Sequence, residues 1–438
     1  YANDEQRKSN DNEYNAVEYR VLSPLDVGGG EGVSAPFAGI IGNHLVVAGG
    51  CNFPDLPAAE GGAKKFYSHI YSIENPLDTL SKWKIVGELP YEVAYGVGIS
   101  VPEGLICIGG TDGRQSFGNV YLLSGSGDRV EIKELPSLPI PLDNMAGGFG
   151  VGYVYVAAGQ SNGKPTKAAF RMKYPECLSW EQLPDFDGEV RLQACGVVQN
   201  GSTSQNFYLL GGYAHATDTS LCVVHDDAIV YDANGKRWFH TSNFVVDGER
   251  KSLVGANAIV SGSTNIVCVG GVDREVFEAA VNRPNLIKQA EKQKDTASLT
   301  VLLNDADSYM KHDPDWYEFQ DELLIYNTIT DEWVTESSSE KLSRAGAGLV
   351  AYNGHWIVVN GETKPGIRSS DVTAVTMTTK TNFGWLNWTV LIVYLLGMLM
   401  LGFYFMRRGN NSDDFFRGGG RIPWWAAGIS IYATMLSA

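Results

Sequence analysis

The sequence has few positive charges and no closely paired cysteines. Its 438 residues carry 34 Lys and Arg against 50 Asp and Glu, a formal net charge of -16. An acidic surface of this size repels phosphate backbones, so no nucleic-acid partner is expected. No CxxC pair occurs among the cysteines, which are Cys51, Cys107, Cys177, Cys195, Cys222 and Cys268. Because most of them lie in apolar runs, we expect buried free thiols and no structural metal.

The motifs of several common enzyme classes are also missing. The sequence contains no HExxH zinc motif, no phosphate-binding glycine loop and no recognisable Ser-His-Asp set. Hydrolytic and nucleotide chemistry are therefore disfavoured. Neither a cofactor nor a catalytic metal is expected from these patterns.

A repeated unit of β-strands accounts for most of the chain. One apolar strand of each unit ends in a glycine doublet or a degenerate form of one, at residues 49–50, 109–110, 158–159, 211–212, 270–271 and 360–361. The doublets follow one another at about 50 to 60 residues, with one longer last interval, which is typical of kelch repeats. A four-stranded unit cannot cover its own apolar faces, so the units must stack around an axis. The pattern predicts an all-β, six-bladed kelch β-propeller over residues 17–380.

The two ends of the repeat region are expected to complete one blade together. The sixth unit stops after one further strand at residues 372–377, whereas residues 19–25 read as a fourth strand without its own unit. Pairing of these segments would close the ring and protect its edges.

The long last interval predicts a helical insertion. Within residues 273–315, the apolar residues Val276, Ala279 and Ala280 recur at helical spacing. The pattern leaves open whether this insertion is a lid or only a decoration of the surface.

Both ends of the chain differ from the repeats. Residues 1–16 are polar and charged, which predicts a disordered arm. After a linker at 381–387, residues 388–406 contain no charge and are followed directly by Arg407 and Arg408. This predicts a transmembrane helix whose C-terminal end is cytoplasmic, with the propeller in the periplasm or the extracellular space. A second apolar segment within 407–438 is cut by the end of the sequence, so we expect a fragment of a longer membrane protein.

Polar residues that follow the doublets are candidates for a binding site, because those loops gather at one mouth of the channel. Glu362 abuts Gly361, which would hold its carboxyl group near the axis and partly out of water, where it can exchange protons. Arg368 follows a Lys-Pro-Gly turn that can return the chain to the same mouth, where an arginine can grip a carboxylate. The alternatives are a solvated loop glutamate and an arginine paired with Asp371. Further candidates for substrate binding are Asn52, Lys65, Tyr95, Asn144, Arg191 and Gln193.

The segment at residues 361–368, GETKPGIR, resembles the signature of the kelch-type N-acetylneuraminate (sialic acid) mutarotases. Residues 49–54 and 94–97 are also similar to segments of that family. The resemblance covers residues 17–380 and implies a circular permutation, since the glutamate segment lies mid-chain in the bacterial periplasmic enzyme. It implies an isomerase that acts on a sugar acid, with Glu362 as proton acceptor and Arg368 holding the carboxylate of the substrate.

Residues 384–438 separately resemble the start of the sodium:solute symporters. The likeness rests on the uncharged helix and on the segment SDDFFRGGGRIPWW at residues 412–425. It implies a mutarotase fused to a transporter, with the first helix running from outside to inside. Two alternatives remain open, namely a non-catalytic propeller that captures or senses the sugar for the transporter, and a propeller that binds only another protein.

Overall fold

The computed structural model describes residues 15–217, 220–379 and 384–408. Six four-stranded antiparallel sheets, called blades 1 to 6, follow one another along the chain. Blade 1 consists of Phe37–Ile41, His44–Ala48, His69–Glu74 and Lys84–Glu88, and blade 2 of Val97–Val101, Gly104–Ile108, Val120–Gly125 and Val130–Leu135. Blade 3 consists of Ala146–Gly150, Tyr153–Ala157, Ala169–Lys173 and Trp180–Gln182, and blade 4 of Cys195–Asn200, Gln205–Leu210, Ala228–Asp232 and Arg237–His240. Blade 5 consists of Asn257–Ser261, Asn265–Val269, Glu322–Asn327 and Glu332–Ser338, and blade 6 of Gly348–Tyr352, His355–Val359, Val372–Thr379 and Asn15–Val21.

Short hairpins follow the second strand of four blades and the fourth strand of one. They pair Cys51–Asn52 with Lys65–Phe66, Gln160–Ser161 with Lys164–Pro165, Tyr213–Ala214 with Val223–Val224, Val245–Val246 with Glu249–Arg250, and Glu362–Lys364 with Ile367–Arg368. Short 3-10 turns occur at Ala58–Glu60 and Glu340–Leu342.

The first strand of each blade contacts the first strand of the next, and Gly348–Tyr352 contacts Phe37–Ile41, so the innermost strands form a closed ring. This confirms the six-bladed propeller. The innermost strands approach so closely that a Cβ atom at Gly196 would lie 2.4 Å from the backbone nitrogen of Gly147. Only small side chains fit where the strands converge on the axis.

The apolar core lies between adjacent blades. The second strand of blade 1, His44–Ala48, is buried at every position. Such strands read as continuous apolar runs because neighbouring blades cover both of their faces. In one interface, Ile106 and Val120 of blade 2 pack with Val154 and Phe170 of blade 3. The cysteines are free, and five of the six are buried.

The predicted pairing of the chain ends is present in blade 6. Asn15–Val21 pairs with Val372–Thr379, and the backbone N–H of Leu22 donates to the carbonyl of Val372 at 2.8 Å. The strand ends at Val21 rather than at residue 25, because Pro24 has no N–H with which to continue a ladder.

Asn360, at the degenerate doublet of blade 6, takes part in this closure. It is fully buried and adopts a positive φ of 53°. Its side-chain Nδ2 donates to the carbonyl of Leu25 at 3.1 Å, and its Oδ1 accepts from the N–H of Val33 at 3.4 Å. A glycine could adopt the backbone conformation but could not hold the returning N-terminal segment.

We expect Asn360→Gly to destabilise the propeller, because two buried backbone groups would lose their partners. Each such loss costs about 1–3 kcal/mol. Asn353→Gly is the matched control, since Asn353 also has a positive φ but is exposed at a turn. Urea unfolding should show a lower midpoint for the first variant and little change for the second; equal midpoints would contradict the role of Asn360.

The insertion in blade 5 is helical. Helix α1 spans Arg274–Gln293 and helix α2 spans Thr296–Ser308, followed by 3-10 turns at Tyr309–Lys311 and Pro314–Tyr317. The side chains of Asp273 and Asp295 cap the two helices by accepting hydrogen bonds from the N–H groups of Val276 and Ser298. The helices lie within the range of 273–315 that the spacing predicts.

A separate unit of the chain contains the apolar helix α3, Trp385–Arg408. The part from Trp385 to Tyr404 is long and apolar enough to cross a bilayer, and none of it is buried within the structure. It begins three residues before the predicted position 388. Most of the arm predicted at 1–16, part of the linker at 381–387, and nearly all of the symporter segment at 407–438 lie outside the described residues.

Candidate functional site

Six residues that precede the innermost strands form a closed ring of backbone hydrogen bonds. The N–H of each donates to the carbonyl of the corresponding residue of the preceding blade, at distances of 2.7 to 3.1 Å. All six have positive φ values, from 52° to 68°. They are Ala35, Tyr95, Asn144, Gln193, Gly255 and Gly346, here called the mouth ring. The ring fixes the backbone at one end of the central channel.

The side chains of the mouth ring are polar on one half only. Blades 2, 3 and 4 contribute Tyr95, Asn144 and Gln193, whereas blades 5, 6 and 1 contribute two glycines and an alanine. All six residues line a cavity of about 430 Å³. A non-glycine residue held at positive φ costs free energy, which is tolerated where the surroundings determine the conformation. The ring therefore fixes the backbone that carries the three larger side chains.

The helical insertion forms much of the remaining cavity wall. Its contribution is mainly apolar and aromatic, from Val276, Phe277, Tyr309, Tyr317 and Phe319. The insertion is therefore part of the cavity rather than a surface decoration. A mostly apolar wall with a few polar groups is typical of small-molecule sites.

Glu362 lines this cavity from blade 6. It lies directly opposite Arg368 in the short hairpin that the Lys-Pro-Gly turn closes. The N–H of Gly366 donates to Glu362 Oε1 at 2.7 Å, and Lys364 Nζ donates to the carbonyl of His312 at 2.7 Å. The turn thus orients the carboxylate and ties this hairpin to the insertion.

Arg368 is buried beside Glu362 and does not itself line the cavity. Its Nη1 lies 3.5 Å from Glu362 Oε1, and its guanidinium stacks on the ring of Phe53 at 4.8 Å. Burial lowers the pKa of Arg368, but Glu362 and other neighbours including Glu31 outweigh it, so the pKa lies above its ordinary value. Nε and Nη1 have no hydrogen-bond partner within the part of the chain that the structure describes. Asp371, the alternative partner, presents its carbonyl to Arg344.

Tyr95 lies between the cavity and two further polar groups. Its hydroxyl accepts from Lys64 Nζ at 3.3 Å and is 3.7 Å from Cys51 Sγ. Lys64 Nζ also lies 5.4 Å from the centroid of the Tyr95 ring. Burial raises the pKa of Tyr95 well above its ordinary value, so the phenol stays protonated.

Asn144 is oriented by the buried side chain of Asp143. Asn144 Nδ2 donates to Asp143 Oδ1 at 2.6 Å, and Gln160 Nε2 donates to the same oxygen at 2.8 Å. The Oδ1 atom of Asn144 is then left buried without a partner from any described residue. A fixed acceptor without a partner at a cavity wall can bind an O–H or N–H group of a ligand.

The other three predicted binding residues lie elsewhere. Asn52 is fully buried, with Nδ2 donating to the carbonyls of Gly28 and Gly32 and Oδ1 accepting from Tyr67. Lys65 is exposed, with Nζ 5.1 Å from the Tyr67 ring centroid. None of the three is among the residues that line the cavity.

Arg191 is the third predicted binding residue that does not line the cavity. Its guanidinium is buried and donates to the carbonyls of Gly211 and Asp227, each at 3.0 Å, and to Asp227 Oδ1 at 2.5 Å. Arg344 makes corresponding bonds to the carbonyls of Asn360 and Asp371 in blade 6. Both arginines therefore tie a doublet to the start of the third strand.

We expect Arg191→Met to lower the free energy of unfolding by about 3–5 kcal/mol, because it leaves Asp227 without its main cation. Burial raises the pKa of Asp227, but Arg191 and His240 outweigh it and the pKa lies below its ordinary value. The stabilisation is therefore complete above the unfolded pKa of about 3.9 and is lost as the pH falls through the folded pKa. The free energy of unfolding, measured by denaturation between pH 7 and 2, should include this acid-dependent contribution of Asp227 in the wild type. The contribution should be absent in Asp227→Asn. Loss of sugar binding without loss of stability in Arg191→Met would contradict the structural role.

Several residues of the site are not among the predicted binding residues. Phe53, Glu31 and Lys64 surround Arg368 or Tyr95, and the aromatic residues of the insertion cover the cavity. Burial is the main cause that raises the pKa of Glu31, and Oε2 of this residue has no hydrogen-bond partner in the described ranges. One signal was available for the mouth ring, since each of its members stands two residues before an innermost strand.

Comparison with solved structures agrees with the propeller. The chain described as "Structure of YjhT" superposes with a TM-score of 0.53 at 13% identity. The match covers 82% of this chain and 99% of that chain. At this identity the likeness shows the fold alone.

Sequence relatives fall into two groups. The first includes "N-acetylneuraminate epimerase" of Yersinia pestis (strain Pestoides F), 26% identical over 254 residues, and of Salmonella enteritidis PT4 (strain P125109), 25% identical over 236 residues. These matches cover 57% and 54% of this chain and 59% and 56% of the relatives, so the chain spans less than two thirds of their length. The second is "Sodium/sialic acid symporter SiaT" of Proteus mirabilis (strain HI4320), 54% identical over 57 residues, 13% of this chain and 12% of that protein.

A family model matches most of the chain. The model described as N-acetylneuraminate epimerase matches residues 4–132 and 135–394. These segments contain the helical insertion and all six blades, apart from residues 133–134 in the last strand of blade 2. On this evidence the chain belongs to the N-acetylneuraminate epimerase family.

Proposed function

We propose that the propeller is a mutarotase that interconverts the anomers of N-acetylneuraminate. One observation carries the proposal: Glu362 lines the cavity with its carboxylate 3.5 Å from the buried Arg368, whose Nε and Nη1 have no hydrogen-bond partner in residues 15–217, 220–379 and 384–408. A base beside a cation suits an anionic sugar whose anomeric hydroxyl must lose a proton. Membership of the family supports the same substrate.

Glu362 acts as the proton acceptor in this reaction. The anomeric hydroxyl gives its proton to Glu362, the bond between the anomeric carbon and the ring oxygen breaks, and the ring oxygen takes up a proton from a water molecule. Rotation about the bond beside the new ketone and reclosure of the ring produce the other anomer. The reverse proton transfers restore the carboxylate, so atoms and electrons balance without a redox step. General acid/base catalysis of this kind contributes about 10² to 10⁴ in rate.

Arg368 and the polar half of the mouth ring hold the substrate. The guanidinium can bind the carboxylate of the sugar acid through two parallel hydrogen bonds. The side chains between Arg368 and the cavity must move to admit the ligand. Asn144 Oδ1 accepts from a hydroxyl or amide of the sugar, and Tyr95 and Gln193 line the same half. The positive charge of Arg368 offsets the repulsion of an anion by a chain of net charge -16.

We further propose that the propeller is extracytoplasmic and fused to a sodium:solute symporter. The transmembrane helix α3, the two arginines at its end and the 57-residue match to a sodium/sialic acid symporter support this arrangement. The site hairpin ends at Arg368, near the start of α3 along the chain, so substrate conversion and transport would be closely linked. The order of blades is proposed to be a circular permutation of the order in the periplasmic enzymes.

The test is nuclear magnetic resonance of freshly dissolved single-anomer N-acetylneuraminate. The full chain, purified in detergent micelles, is expected to accelerate the appearance of the second anomer in proportion to protein concentration. Heat-inactivated protein in the same micelles provides the baseline. An unchanged rate with native protein would overturn the enzymatic proposal.

A second candidate function is a non-catalytic propeller that captures the sugar for the transporter. The 54% identity to the symporter over 57 residues favours a role next to transport. Saturation-transfer spectra would then show binding of the sugar without any change in the anomerisation rate. Absence of both binding and catalysis, with a folded propeller, would instead favour a partner protein as ligand.

A further inference from the structure

A second cluster of ligand-type side chains lies at the end of blade 1 that is remote from the doublet. His44 begins the second strand, which runs from this end toward Gly49, and its cross-strand partner Glu74 ends the third strand. Asp128 comes from the loop between Val120–Gly125 and Val130–Leu135 of blade 2. One nitrogen of His44 and one oxygen of each carboxylate all lie within 4.8 Å of one another.

His44 is the unusual member of this cluster. It is only 4% exposed, and neither of its ring nitrogens has a hydrogen-bond partner among the described residues. Nε2 lies 3.7 Å from Asp128 Oδ1. A buried imidazole without partners is costly, and buried polar groups in folded proteins are nearly always bonded or bind an ion.

The loop of blade 2 is shaped to reach this imidazole. Gly127 has a φ of 83°, and a Cβ atom there would lie 2.2 Å from His44 Cγ and 2.4 Å from Nδ1. Only glycine therefore lets the loop cross the ring and bring Asp128 to it. The cluster joins two blades that share no backbone strand pairing.

The two carboxylates have other contacts that a ligand must replace or keep. Asp128 Oδ1 accepts from Lys84 Nζ at 3.2 Å, and Glu74 Oε1 accepts from Asn43 Nδ2 at 3.2 Å. Lys84 and Asp128 are both more than half exposed, so this ion pair can open at little cost. Glu74 is also exposed and free to move toward the imidazole.

We propose that His44, Glu74 and Asp128 bind a Zn²⁺ ion that joins blades 1 and 2. Zn²⁺ accepts imidazole nitrogen and carboxylate oxygen at about 2.0–2.2 Å, usually in tetrahedral geometry with water completing the site. The ligand atoms need to approach one another by roughly 1–1.5 Å, which the exposed carboxylates allow. Ca²⁺ and Mg²⁺ prefer sites made of oxygen alone. The cysteines contribute nothing to this site, which is why their spacing does not predict it.

The experiment titrates Zn²⁺ into the full chain in detergent micelles after treatment with a chelator. Calorimetry is expected to show one equivalent bound, and Co²⁺ in place of Zn²⁺ should give visible absorption bands of a site with nitrogen and oxygen ligands. His44→Gln and Asp128→Asn should each weaken binding at least about tenfold, since even indirect partners of a metal contribute that much. His69→Gln is the matched control, because His69 has a single carboxylate neighbour, Glu88, at 3.6 Å.

Lys84→Met gives a test in the opposite direction. Removing the cation that competes for Asp128 should tighten Zn²⁺ binding by about two- to fivefold, the equivalent of one exposed ion pair. The proposal is overturned if no equivalent binds, if His69→Gln weakens binding as much as His44→Gln, or if Asp128→Asn and Lys84→Met both leave the affinity unchanged. If His44→Gln does not fold, the variants Asp128→Asn and Lys84→Met at exposed positions still test the proposal.

Discussion

Glu362→Gln is expected to slow enzyme-dependent anomerisation of N-acetylneuraminate by about 10² to 10⁴ while leaving sugar binding within a fewfold of the wild type. The amide keeps the size of the carboxylate, and its oxygen can still accept from the N–H of Gly366. It cannot take up the proton of the anomeric hydroxyl. The loss should therefore fall on kcat rather than on KM.

The measurement combines two readouts on the same samples. Magnetisation exchange between the anomeric signals gives the rate, and saturation-transfer spectra give the dissociation constant. Glu332→Gln serves as the control, since Glu332 is exposed on the outer strand of blade 5. If Glu362→Gln loses rate and binding equally, the side chain is a ligand contact and the capture function gains support.

Arg368→Met is expected to weaken binding of the sugar acid by about 10- to 150-fold. This corresponds to the 1.5–3 kcal/mol of a hydrogen bond to a charged group. Arg368→Lys should recover only part of the affinity, because lysine keeps the charge but not the two parallel donors. Arg114→Met, at an exposed loop position, is the control for loss of a positive charge.

The methyl ester of N-acetylneuraminate makes this prediction specific. The ester has no negative charge, so the wild type should bind it much more weakly than the acid. Arg368→Met should bind acid and ester about equally. A variant that loses affinity for both ligands in the same proportion would show that Arg368 supports the site without contacting the carboxylate.

The repeat is the part of the fold that sequence reasoning predicts well. Doublets and buried second strands recur because each blade packs between two neighbouring blades in the same way. The pattern of one blade therefore predicts that of the others. Asn360 shows the limit of this prediction, because the residue that makes this doublet degenerate has a further structural role. Its side chain binds Leu25 and Val33, contacts that depend on residues more than 300 positions away along the chain.

The cavity-facing side chains are harder to predict, because a single position decides where each one points. Lys64 reaches Tyr95, whereas Lys65 lies over Tyr67, although the two are neighbours in the chain. Successive side chains of an extended segment point to opposite faces, so composition cannot separate them. Arg191 and Arg368 are both candidates by sequence, and each has at least one donor without a partner among the described residues, but only Arg368 lies beside a cavity-lining carboxylate. The insertion shows helical periodicity, yet nothing in its spacing indicates that it covers the mouth ring.

The outer strand of blade 6 has a consequence for assembly. Asn15–Val21 is attached to Val372–Thr379 only by hydrogen bonds and side-chain packing, since the rest of the propeller separates the two segments along the chain. When it detaches, the ladder of blade 6 ends in an open edge that accepts an identical strand from a second copy. Strand exchange between neighbouring copies is therefore the expected route to dimers at high concentration. The hydrogen bonds of Asn360 to the N-terminal segment would lower the frequency with which the strand detaches.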